Sequence, residues 1–177
     1  MTAARLSYAE SAGRLLKEGW LDDKEVPPIP ERMPRHDDEE PLGVSFFRML
    51  VRELDCTDMT LPRTFVGRSE IAESSFRNAD LHESNFCWND FIKVDFSGAD
   101  LRDVDMRCLD CSNCDFSGAD LRGADLRHSN FTDCRFAGAN FTGARVTRSR
   151  AAPMRLTAAQ SATIAWTDTD GPEPDGG

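Results

Sequence analysis

The sequence predicts an all-β solenoid, a four-sided β-helix of about four to five coils with short helical caps at its N- and C-terminal ends. Three observations predict it. From Val66 to Val146 every fifth residue is large and apolar almost without break, as in Phe76, Leu81, Phe86, Phe91, Phe96, Leu101, Met106, Cys111, Phe116 and Leu121. Two positions before, the residue is usually small: Ala79, Ser84, Ala99, Cys114, Ala119, Ala124. The octapeptide DFSGADLR occurs at 95–102 and again at 115–122.

A flat strand sends residues five apart to opposite faces, and on an α-helix such a stripe spirals around the cylinder. A chain that keeps them all on one side must turn a corner once per unit. The large residue and the small one two places earlier then both point inward from one short extended segment. The twenty-residue copy closes one coil with four corners, and successive coils pair as parallel strands about 4.8 Å apart. Gly98, Gly118, Gly123, Gly138 and Gly143 fall two places after the central residue, the slot where a corner favours positive φ.

The units ADLHE, ADLRD, ADLRG, SNFTD and ANFTG resemble those of the pentapeptide-repeat family. The resemblance spans residues 61–150 and implies a right-handed quadrilateral β-helix. It brings no catalytic motif. One branch of the family resembles duplex DNA in shape and charge and protects bacterial type II topoisomerases.

The remaining elements follow in chain order. Residues 1–60 read as a non-repeat segment that caps the first coil. Ser7 and Glu10 form a capping-box pattern ahead of Ala9, Ala12, Leu15 and Leu16 at helical spacing. A Pro- and acid-rich linker from Asp22 to Pro41 follows, with Asp37, Asp38, Glu39 and Glu40 in a row. Phe46, Phe47, Leu50, Val51 and Leu54 read as a second helical stripe; alternatively Val51 and Cys56, which keep the register, already belong to the coil. Residues 61–156 are the repeat. Thr157 and Gln160 open a capping helix over 157–167, and 168–177 reads as a disordered tail.

The chain has 177 residues and a formal charge of −10. Residues 61–150 hold 14 acids and 12 bases. Duplex DNA carries a charge every ~1.7 Å, so this rod is a poor electrostatic copy of it. An acidic chain without a basic stripe is also repelled by phosphate, so no direct nucleic-acid binding is expected. No apolar run is long enough to span a membrane, and the N-terminus lacks the apolar stretch of a signal peptide; a cytoplasmic bacterial protein is expected. Cys108, Cys111 and Cys114 have C-x2-C-x2-C spacing, but the register points them in different directions. Buried thiols are therefore expected rather than a metal cluster, and no cofactor is called for. No phosphate loop, nucleophile elbow or His-carboxylate metal motif is present, which argues against an enzyme.

What remains is a non-catalytic protein-binding module working through its outer faces, in an immunity-like or protective bacterial role. The alternative is a DNA-mimicking protector or inhibitor of a type II topoisomerase, gyrase. The candidate partner-binding residues are Cys87, Trp88, Ile92 and Cys108, an apolar patch on a polar rod. Asp90, Asp95, Asp110 and Asp115 are the candidate acidic faces, because their sides carry uncharged neighbours. Nothing in the repeat sets the number of copies.

Overall fold

The computed structural model describes residues 4–22, 24–38 and 42–169. Its elements are α1 (Tyr8–Lys17), β1 (Ser45–Phe47), β2 (Leu50–Arg52), β3 (Phe65–Gly67), β4 (Glu70–Ala72), β5 (Asp90–Ile92), β6 (Asp110–Ser112), β7 (Asn130–Thr132), β8 (Arg145–Thr147), α2 (Ala158–Ser161) and β9 (Ala165–Thr167). All pairing is parallel. Each strand meets the segment twenty residues on, as in Phe91↔Cys111 and Cys111↔Phe131. The chain is a β-solenoid of about 6 turns, slightly more than the sequence suggests.

Four sides repeat. Side one carries 45–47 and every twentieth residue after, side two 50–52, side three 55–57 and side four 60–62. Side two is the longest sheet, five strands in the order β2-β4-β5-β6-β7. Isolated bridges such as Asp80↔Asp100 and Asp95↔Asp115 continue the stacking on the other sides.

The expected inward residues form the core. Phe76, Phe96, Phe116 and Phe136 make a stack with centroid separations of 5.3, 5.0 and 5.1 Å, and Phe91 and Phe131 meet it edge-on. The small slot has a second task. Ser74 Oγ accepts from the Leu54 amide at 3.1 Å, Ser84 Oγ from Thr64 at 3.0 Å and Ser129 Oγ from Leu109 at 3.0 Å. These amides lie between turns and would otherwise be buried without a partner. At the corners most residues are left-handed; Gly98 has φ +67°, and a Cβ there would sit 2.4 Å from Asn78 Oδ1.

The N-terminal boundary differs from the expected 1–60. The coil begins with β1, so the stripe Phe46–Leu54 is strand and corner rather than helix. Val51 pairs with Ile71, and Phe46 and Cys56 are buried. The inward slots hold the large Val44, Met49, Leu54 and Met59 instead of small residues, which hides the five-residue pattern. Only α1 matches the first helical stripe. Its capping box, Ser7 with Glu10, is formed, and Ala12 and Leu15 bury against the first turn. The Leu6 amide donates to Asp58 O and the Thr60 amide to Ser11 Oγ, which closes part of the open edge.

The linker runs back along side one. Arg63 donates to Pro30 O at 2.7 Å, and Asn85 Nδ2 to Pro34 O at 2.9 Å. Of the acidic run, Asp38 bonds Arg32 and the Arg35 amide, while Glu39, Glu40 and Pro41 lie outside the described residues. At the far end the expected helix over 157–167 is shorter. Its capping box holds α2, but Ala165–Thr167 is strand β9 on β8 because Trp166 returns to the central register above Val146. Gln160 Nε2 closes the rod by donating to Phe136 O and Ala139 O. The tail from 170 onward lies outside the described residues.

Candidate functional site

The Asp/Asn slot is first of all structural. In Asp95, Asp100, Asp105, Asp115, Asp120 and Asp125 one carboxylate oxygen accepts the amide two residues on, at 2.8–3.3 Å. This is the aspartate's own turn-forming bond. Where arginine follows, it forks the same carboxylate: Arg102 on Asp100 (2.7 and 2.6 Å), Arg107 on Asp105 (2.9 and 2.6 Å), Arg122 on Asp120 and Arg127 on Asp125. Burial draws the Asp105 carboxyl upward. Bonds from Arg107 and the Cys87 thiol, with the arginine's charge, outweigh this and hold it below the ordinary range.

The candidate acidic faces separate under this test. Asp115 is paired with Arg135, and Asp95 caps the Ser97 amide. On side two Glu70, Asp90 and Asp110 stack directly, register to register. Arg52 reaches Glu70 at 2.9 Å, and Asn130 donates to Asp110 at 2.7 Å. Among the described residues the Asp90 carboxylate has no hydrogen-bond or ion-pair partner. Burial, then Asp110 and Glu70, raise its pKa.

The candidate apolar patch is only partly as expected. Arg48, Arg68, Trp88, Cys108 and His128 form one corner column, all left-handed with φ between 53° and 62°. Trp88 is half-buried and stands between two shallow hollows. One is lined by Arg68, Ser69, Glu70 and Asp90; the other includes Cys108, Asp110, His128 and Asn130. Ile92 is half-buried on side two, beside Asp90. The Trp88–Cys108 juxtaposition holds. Cys87 is 4% exposed, next to Asp105, and lines a third hollow together with Trp88, His36 and Phe65. Burial, then Asp105, push its pKa well up. The folded-back linker brings Pro34 and His36 to this position. The Trp88 Nε1 is buried without a hydrogen-bond partner.

Of the three spaced cysteines only Cys108 diverges as expected; Cys111 and Cys114 both point inward and their thiols touch. Cys108 lies on the corner, while Cys111 and Cys114 are buried and Cys134 sits one turn above Cys114. Contact with the Cys111 thiol, above all, pushes Cys114 up to about 12. A different group of ligand atoms, unforeseen from sequence, converges on side four: Asp80, His82 and Asp100. Only the pairing of turns brings Asp100 beside the other two.

The fold defines the class: a four-sided β-solenoid. Pentapeptide repeats, in 8 copies, match residues 69–107 and 110–148. The repetitive part of this chain belongs to the pentapeptide-repeat family. None of the curated proteins is similar to it in sequence. Among solved structures, it is similar to the pentapeptide repeat protein Rfr23 of the cyanobacterium Cyanothece 51142, at 18% identity over 70% of this chain and 88% of that one, TM-score 0.43. It is also similar to alr5209, a pentapeptide repeat protein of Nostoc PCC 7120, at 26% over 58% and 84%, TM-score 0.40. A third is QnrB1, a plasmid-mediated fluoroquinolone resistance protein, at 18% over 58% and 60%, TM-score 0.27. Among the described residues no helix is long and apolar enough to cross a membrane.

Proposed function

We propose that this protein is a non-catalytic module of the bacterial cytoplasm that binds a protein partner at the Trp88 corner, in an immunity-like or protective role. One observation carries the reading. The acids forked by Arg102, Arg107, Arg122 and Arg127 are already satisfied, whereas Trp88, half-exposed on a left-handed corner, is bordered by the unpartnered Asp90, and the apolar Ile92 follows two residues along the same strand. Tryptophan is the residue type that most often anchors an interface, and an uncompensated carboxylate beside it supplies orientation. Trp88→Ala combined with Ile92→Ser tests this. The double variant should melt within a few degrees of the parent and lose the one protein that the parent retains at stoichiometric amounts in affinity capture. Retention of that protein by the variant refutes the reading.

Topoisomerase protection is the second reading, favoured only by the Glu70–Asp90–Asp110 stack. A gyrase supercoiling assay, with and without a poison, separates the two. Protection or inhibition by the purified chain would establish it; the arginine forks lead us to expect neither.

A further inference from the structure

We propose that Asp80, His82 and Asp100 form a site for a divalent transition-metal ion on side four. Parallel pairing sets Asp80 over Asp100, and His82 follows two residues later on the same side. One ligand atom from each lies within 4.8 Å of the others. His82 Nδ1 is 2.6 Å from Asp80 Oδ1. The side chains of His82 and Asp80 are 32% and 18% exposed, so an ion can reach them from water.

The ladder itself shows what this position requires. One turn further along, the same slot lies between Asp100 and Asp120 and holds Arg102. Its Nη2 is 2.6 Å from Asp100 and its Nε is 4.0 Å from Asp120. There a permanent cation separates two stacked carboxylates. Between Asp80 and Asp100 the equivalent residue is His82, charged only when protonated. With a neutral imidazole the slot has two carboxylates, a nitrogen ligand and no cation of its own except the Arg102 that Asp100 shares. The turn before supplies Thr60 and Pro62, which carry no charge.

One imidazole and two carboxylates suit zinc, nickel or manganese, and three protein ligands leave coordination positions for water. Asp100 is the weakest ligand, because Arg102 already donates to both of its oxygens. Oδ1 accepts both the Arg102 amide and its Nε, whereas Oδ2 accepts only Nη2 and keeps a further lone pair for the ion. Binding would clamp two successive turns together and stabilise the folded rod in proportion to occupancy.

The test uses the metal-free full chain with Zn2+ followed by isothermal titration, and with Mn2+ followed by the ring signals of His36, His82 and His128 in NMR spectra. The expected result is one ion per chain, with His82 broadened at low Mn2+ before the other two histidines. His82→Ala should abolish the zinc heat, and Asp100→Asn should weaken binding about tenfold or more. Equal metal-free melting of parent and variants shows that folding is intact. Three results overturn the site: no saturable binding, zinc binding that survives His82→Ala and so belongs to the thiols, or equal broadening of all three histidines.

Discussion

At the scale of single residues, Phe96 and Phe116 each touch the ring of the turn below and of the turn above, so one truncation damages two contacts. Phe116 is fully buried, 5.0 Å from Phe96 and 5.1 Å from Phe136. Phe116→Ala should therefore cost about 3–5 kcal/mol in urea unfolding; a loss below about 1 kcal/mol would mean that the stack is not the core. Outward residues behave in the opposite way. Asp90 has its pKa raised by burial and by Asp110 and Glu70. A carboxyl raised in the folded state is favoured there when protonated. It detracts from stability once pH passes above the ordinary carboxylate range, and the penalty fades as pH falls. Asp90→Asn should thus stabilise the protein at pH 7 by about 0.5 kcal/mol or less, since the group is well solvated. The gain should shrink with added salt and vanish near pH 3. A loss of stability at pH 7 would show that Asp90 has a partner in the fold.

At the scale of elements, the repeat was legible wherever the small and acidic slots were filled as the unit requires. From 44 to 60 it was legible only as an alternative, through the register of Val51 and Cys56. There the inward slots hold Val44, Met49, Leu54 and Met59, and the outward slot holds Ser45, Leu50, Asp55 and Thr60. Large residues at both inward positions mimic a helical stripe, and β1 and β2 become visible only through pairing with β3 and β4. The two caps were easier, because a capping box is local chemistry. Ser7 and Thr157 both bond as the spacing predicts, although α2 stops after one turn so that Trp166 can rejoin the core column. The candidate site divides along the same line. Trp88 and Cys108 share a corner because they are twenty residues apart, which sequence shows. Cys87 lies beside a segment that has no period, and the Asp80–His82–Asp100 group needs neighbours from two turns. The cap also makes a prediction. Ser7→Ala removes the acceptor for the Glu10 amide and should cost about 1 kcal/mol of stability. Hydrogen exchange should rise in α1 and at the amides of Leu6 and Thr60, which bond across the cap. Exchange that rises evenly along the rod would mean that α1 is not a separate closing element.

At the scale of the molecule, the solenoid has contacts only between successive turns, so its stability is close to a sum of similar increments. Such a rod should tolerate loss of a whole turn but not of a fraction. Deleting residues 95–114 joins Val94 to Asp115, and the second DFSGADLR takes the place of the first. Phe116 then falls where Phe96 stood, above Phe76, and the four corners keep their order. Asp115 likewise replaces Asp95 over Ser75 in the bridge ladder. The shortened chain should keep its β circular dichroism, lose about 4.8 Å of length in small-angle scattering and melt cooperatively at a lower temperature. Deleting 95–101 removes a stretch that is not a multiple of five. It moves every later central Phe and Leu by two places into the slot for a small inward residue and puts corner residues such as Asp103 and Asn113 where the large ones belong, and that chain should be unfolded. Were the shorter deletion as stable as the longer, the period of five would not be what holds the interior together. The full-turn deletion leaves Trp88, Asp90 and Ile92 in place but removes Asp100 and Asp110, and supplies Asp120 and Asn130 instead. It should therefore retain partner capture if Trp88 is the anchor and lose it if the stacked acids of side two carry the contact.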